Sequence, residues 1–322
     1  LTNMKYLINK PNLSNLEKEY VLKALKSTWL SANGENSKIF EKKISKILKN
    51  KYCLAVQSGT ASLHLALKSL GVKSSDKVIV PNYTCVSNLS AVAQCGATSI
   101  LVDVEKDTLG LDYELVKEAY KKYKPKYLQL VHVYGFPAKD THKIINFCKK
   151  NKIKIIEDTS EALGSTLNGK VVGSFGDINV TSIRSEKMIG VGEGAIISTN
   201  IKKIFERFTL LASRSAPFRT SKDPYWKKYY VSGEGYNYLM PHLLGSVARG
   251  QIERFEKELI KKKIKVGKIY IKELKKNNLN YGQQISNKSK PVYWLNSVMF
   301  PKLKINKIRK IGENLKKNWN RS

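Results

Sequence analysis

Acidic residues are scarce in this chain. Only 26 Asp and Glu stand against 58 Lys and Arg in 322 residues, a formal net charge of +32. Such an excess is compatible with nucleic acid or an anionic membrane surface as partner. The basic residues are scattered, however, and no nucleic-acid recognition motif accompanies them. Lys, Asn and Ile are abundant together, so compositional drift is the preferred reading, with no nucleic-acid or membrane partner expected. Cysteine is also sparse. Cys53, Cys85, Cys95 and Cys148 are never in CxxC spacing, which argues against a zinc site, and no metal is expected. No apolar run is long enough to span a bilayer, and no secretory h-region with a cleavage site is present. A cytoplasmic, reduced protein is the default expectation. Repeats and low-complexity linkers are lacking too. What is present is 42% hydrophobic residues, enough for one large domain or a large and a small one.

Ser14 followed by Glu17 reads as a capping box opening a helix, and the stretch from Gly34 to Asn50 as a second, amphipathic helix. Strands and helices then alternate. "YCLAVQ", "KVIVP", "TSILVDV", "KYLQLVHVYG" and "KIKIIED" read as strands. The segments starting at Ser58, Tyr83, Asp112 and Asp140 read as helices. That alternation predicts a mostly parallel, doubly wound α/β sheet. Right-handed crossovers put the loops after the strands on one edge, where open α/β sheets bind ligands. The pattern changes further on, predicting a large unit over residues 1–244 and a smaller one over residues 245–322. The small unit would hold a long helical segment, a strand at "PVYWLNSVMF" and a final helix.

Three strand-end features carry the chemistry. Ser58-Gly59-Thr60 opens a helix, where free N–H groups and hydroxyls suit a phosphate. Asp158 ends an apolar strand. Lys187 lies between Ser182 and Ser185 on one side and Gly190, Gly192 and Gly194 on the other. Singly, each has a plainer reading: a helix start, an N-cap, a solvated lysine. Jointly they fit pyridoxal 5'-phosphate. That cofactor needs a lysine to bond, a carboxylate beside the pyridinium nitrogen and a helix N-terminus for its phosphate. A partly desolvated lysine also releases its proton more readily.

The motifs "EDTSEALGS", "GKVVGSFGD", Ser182 followed by Lys187, and "GEG" at Gly192–Gly194 occur in this order. On them, residues 13–300 resemble the DegT/StrS family of pyridoxal-phosphate-dependent sugar-nucleotide aminotransferases. The resemblance implies a fold type I aminotransferase. In it Lys187 would be the lysine that bonds the cofactor and later shuttles a proton, and Asp158 would pair with the pyridinium nitrogen. Glu161 would lie near the phenolic oxygen, and Gly59, Thr60 and Ser182 would bind phosphate. Asn237 would reach the phosphate of a neighbouring subunit, making a homodimer with a shared active site. The substrates implied are a nucleotide-linked 4-keto-6-deoxyhexose and L-glutamate. "GEG" and "PVYWLNSVMF" look most like the perosamine and viosamine synthases, which aminate the 4-position. A 3-aminotransferase or an inactive shortened paralogue are the alternatives within the same fold, and a basic nucleic-acid-binding protein is a distant one.

Two departures are visible. Relatives place an aromatic after the Thr of a "PSxT" motif, stacked on the pyridine ring. Here "PNYTC" puts Cys85 there, a thinner, polarizable contact, with Tyr83 two residues earlier. The chain also opens on Leu1, suiting a fragment or an unusual start codon, and ends at "WNRS", where relatives carry a Gly-Ile-Glu/Asp element. A one-base frameshift would convert Trp-Asn-Arg-Ser coding into Gly-Ile-Asp. If the chain ends there, cofactor binding is expected to survive better than sugar turnover.

Overall fold

The computed structural model describes residues 10–217, 225–284, 286, 288–300 and 303–319. Helix α1 (Asn15–Lys26) opens on the expected capping box. Ser14 Oγ accepts from Leu16 N, and Glu17 accepts from Ser14 N at 2.7 Å. Next come α2 (Glu35–Leu48), β1 (Tyr52–Val56) and α3 (Gly59–Leu70), which stops at Gly71. Then β2 (Lys77–Pro81), α4 (Val86–Gln94), β3 (Thr98–Val102), α5 (Tyr113–Tyr123), β4 (Tyr127–Val131), α6 (Thr141–Lys150) and β5 (Lys154–Asp158) alternate. Helix α4 starts three residues later than the sequence suggests, with Cys85 as its N-cap.

Short strands β6 (Thr166–Leu167) and β7 (Lys170–Val171) precede β8 (Ile178–Ser182), β9 (Ala195–Thr199) and α7 (Lys202–Ala212). Helix α8 (His242–Arg254) runs through a π-helical turn at Phe255–Leu259 into α9 (Ile260–Lys276). Strands β10 (Asn280–Tyr281), β11 (Ser289–Lys290) and β12 (Val298–Met299) lead to α10 (Ile305–Trp319).

The main sheet has the order β1-β9-β8-β5-β4-β2-β3. Strands β8, β5, β4, β2 and β3 pair in parallel, while β9 is antiparallel to both β8 and β1. Six strands therefore point one way and their carboxyl ends share one edge. Helix α3 is the central packing element: Leu63, Leu65 and Leu67 are buried against Val56, Val80 and Val180 of the sheet and Phe208 of α7. A separate core under α5 and α6 includes Val116, Ile144, Leu128 and Leu130.

A further core joins Phe40 and Ile44 of α2 to Ile196 of β9, Ala248 and Ile252 of α8, and Trp294. The boundary expected between residues 244 and 245 thus falls inside the first turn of α8, a helix that packs on α1, α2 and the sheet's core. "PVYWLNSVMF" is not a continuous strand. Only Val298–Met299 pairs as a strand, with β10, and Tyr293 interrupts the stretch with a left-handed φ of 54°. Residues 291–297 form a strap across the sheet edge instead. Among the described residues no helix is long and apolar enough to cross a membrane.

Candidate active site

The shared carboxyl edge encloses a cavity of about 530 Å³, within the range of small-molecule sites. The loops after β1, β2, β4, β5 and β8 each contribute to it. Gly59, Thr60, Cys85, Asp158, Glu161, Ser182 and Lys187 all line it. Asn237 does not. It is exposed, outside its own chain's cavity, and bridged to Ser213.

Asp158 ends β5 and is 4% exposed. It accepts from Asn88 Nδ2 of α4 at 3.1 Å and from Ser160 N at 2.9 Å. Burial pushes its carboxyl above the ordinary carboxylate range, and the Ser160 contacts only partly oppose this. A cationic ring nitrogen at this carboxylate would relieve the cost of ionising it. Two neighbouring buried atoms, Thr84 Oγ1 and Asn88 Oδ1, have no hydrogen-bond partner among the described residues.

The helix N-terminus supplies the anion end. The first intrahelical bond of α3 is Ser62 N to Ser58 O, which leaves the Gly59 and Thr60 amides available at the cavity wall. Gly59 is small for a reason: a Cβ there would lie 3.2 Å from Ser182 Cβ. Ser182, itself held by Ser182 N donating to Ser160 Oγ at 2.9 Å, closes the cradle. A buried carboxylate, an amide-lined anion cradle and a lysine on one cavity fit a pyridine phosphate carrying an aldehyde.

Lys187 lies in a turn where Lys187 N donates to Arg184 O at 2.9 Å, and its Nζ pairs with Glu161 Oε1 at 3.4 Å. Burial raises the Glu161 carboxyl, while Lys187 pulls it back down. Tyr134 N fixes the other Glu161 oxygen at 3.0 Å. Cys85 lines the cavity, with its Sγ 3.4 Å from Ser87 Oγ. Tyr83 turns toward the mouth, where its hydroxyl meets that of Tyr134 at 2.6 Å. At the rim Arg184 is ion-paired with Glu193 at 2.9 Å.

Residues 11–320 match the DegT/DnrJ/EryC1/StrS aminotransferase family. The chain belongs to this family. Two similar relatives are named GDP-perosamine synthase. The one from Escherichia coli O157:H7 is 34% identical over 300 residues, covering 92% of this chain and 78% of the relative. The one from Vibrio cholerae is 32% identical over 292 residues, covering 91% and 77%. A putative sugar aminotransferase from Streptococcus pneumoniae, solved in its PMP-form, shares the fold. Its TM-score is 0.87 at 21% identity, over 98% of this chain and 82% of that one.

Sequence reasoning missed several residues of this aminotransferase's cavity. Asn88 was invisible because it lies inside a helix whose register was not known. Tyr134 reads as part of the strand "KYLQLVHVYG", but β4 ends at Val131 and leaves Tyr134 in the loop that lines the cavity. Trp294 does not line the cavity itself but stands over Lys187, and nothing in its local sequence shows that. Conversely, "GSFGD" is structural. Buried Glu157 accepts from the N–H groups of Gly173, Phe175 and Gly176 and pairs with His132 at 3.0 Å. His132 Nδ1 accepts from Ala138 N, so its Nε2 donates to Glu157.

Proposed function

We propose that this aminotransferase transfers the amino group of L-glutamate to a nucleotide-linked 4-keto-6-deoxyhexose, giving a 4-amino-4,6-dideoxy sugar nucleotide of the perosamine type. The observation that carries the reading is the convergence of Lys187, Asp158 and the α3 N-terminus on one cavity, in a chain whose relatives are named GDP-perosamine synthase. The cofactor is pyridoxal 5'-phosphate, which supplies an aldehyde to carry the amino group and a ring to take up electrons.

The chain's own residues do the rest. Asp158, buried and anchored by Asn88, keeps a positive charge on the ring nitrogen. Gly59 and Thr60 amides and Ser182 Oγ bind the phosphate. Lys187 Nζ would hold the cofactor through its aldehyde and would then take and return the proton at the reacting carbon. Glu161 keeps that amine in reach at 3.4 Å. Cys85, on the cavity wall, would give the ring only a thin contact.

A homodimer with a shared site is part of the proposal. It is supported by Asn237 lying exposed outside its own chain's cavity, and by exposed apolar side chains at Leu22, Leu25 and Trp29. The test is to incubate purified protein with glutamate and a panel of 3-keto and 4-keto sugar nucleotides, followed by mass spectrometry. A one-amine product from 4-keto sugars is expected, and product from 3-keto sugars alone would overturn the 4-position assignment. Lys187→Ala should abolish the visible absorbance of the bound cofactor. An unchanged spectrum in that variant refutes the role of Lys187.

A further inference from the structure

Lys187 has a neighbour that its carboxylate partner does not explain. Its Nζ lies 3.8 Å from the centroid of the Trp294 ring. The Trp294 side chain is buried, and its Nε1 donates to the Glu186 carbonyl at 2.6 Å, one residue before the lysine. The indole is thus held by the same turn whose side chain it covers.

The strap carrying Trp294 is itself tied down. Val292 N donates to Gly135 O at 3.1 Å, and Leu295 N to Tyr134 O at 3.3 Å. Tyr134 takes a φ of 56°, a conformation an aromatic residue rarely adopts, and Gly135 follows at 99°. A Cβ on Gly135 would lie 2.5 Å from Trp294 N. The close approach of the strap therefore depends on this strained pair. On its other side Lys187 meets Glu161. The nitrogen is held between a carboxylate and an aromatic face.

We propose that Trp294 is a positioning residue whose face receives the nitrogen of Lys187 whenever that nitrogen is positively charged, and holds it aimed at the cofactor pocket. An aromatic face attracts a cation through its quadrupole, more strongly where water is excluded. Loss of the face destabilises the charged form, so that form gives way at lower pH. The inference rests on the cofactor part of the proposed function and is independent of the sugar.

The experiment loads wild type, Trp294→Phe, Trp294→Leu and Val292→Ala with pyridoxal phosphate and titrates the visible absorbance against pH. The midpoint should fall by about half to one pH unit in Trp294→Leu. It should fall less in Trp294→Phe, which keeps a face, and stay put in Val292→Ala, which loosens the same strap. Equal midpoints in wild type and Trp294→Leu would overturn the proposal, and so would an equal shift in Val292→Ala. If Trp294→Leu takes up no cofactor, Trp294→Phe decides: a lowered midpoint supports the proposal and an unchanged one overturns it. A wild-type protein with no visible band would instead count against the cofactor reading itself.

Discussion

Asp158 shows what one residue's surroundings decide. The same carboxylate could cap a helix at the surface. Here burial pushes it toward the neutral form, opposed by the Ser160 contacts and the charges of Lys187 and His132, while Asn88 donates to it as well. Asn88→Ala removes a donor to the charged form, so the neutral acid persists to higher pH. The acid limb of the pH–kcat/KM profile should move upward, with activity at neutral pH falling several-fold. A limb in the wild-type position would show that Asn88 does not tune Asp158. At Cys85 the wall is thin. Cys85→Phe should tighten pyridoxal-phosphate binding by about three- to tenfold, the scale of an aromatic stacking contact. Equilibrium titration of the cofactor-free protein measures it, and no tightening would sink the stacking idea.

Between elements, two carboxylates, Glu17 buried and Glu41 half-buried, pull stability in opposite directions. Glu17 joins α1 to α8: it is 2% exposed and accepts from Gln251 at 2.7 Å and Arg254 at 2.9 Å. Burial pushes its carboxyl up, but the hydrogen bonds from Ser14 and Gln251 outweigh that and leave it below the ordinary value. Its contribution is therefore present at neutral pH and lost as pH falls below the unfolded-state value. Glu17→Ala should destabilise the protein by about 2–4 kcal/mol at pH 7, since it leaves Arg254 facing the gap. Glu41 of α2 is the reverse case. It accepts from Ala55 N of β1 at 2.7 Å, and burial pushes its carboxyl up to about 7. The folded state prefers the protonated form, so stability drops as pH rises through that value. Glu41→Gln keeps the acceptor and removes the charge. Melting curves should show a gain of about 1–3 kcal/mol at pH 8 and almost none at pH 4.

For the whole molecule, the exposed Asn237 gives a direct test of a shared site. Lys187→Ala and Asn237→Ala should each be nearly inactive alone. Mixed and re-equilibrated, they should recover about a quarter of wild-type activity, because some mixed dimers carry one intact site. No recovery would place each site within a single chain. The excess of positive charge should also speed capture of an anionic sugar diphosphate. The KM for the sugar nucleotide should then rise several-fold between about 0.05 and 0.5 M salt, as screening shortens the field. A flat salt profile would leave the charge without a catalytic consequence.

The alternation of strands and helices up to β5 was legible because apolar periodicity, caps and stop signals act within a few residues of each other. Ser14 with Glu17, Asp112 and Gly71 sit at helix ends as their chemistry demands. That Gly59, Asp158, Ser182 and Lys187 come to one cavity was legible because they follow the ends of parallel strands, where ligands gather. Tertiary structure alone decided the rest. The reversed direction of β9, the left-handed turn at Tyr134 and the reach of Trp294 over Lys187 all depend on contacts between segments distant in the chain. Sequence sets which residues can make such contacts. Only the packed chain sets the distance, and the attraction of an aromatic face for a cation exists only at close range.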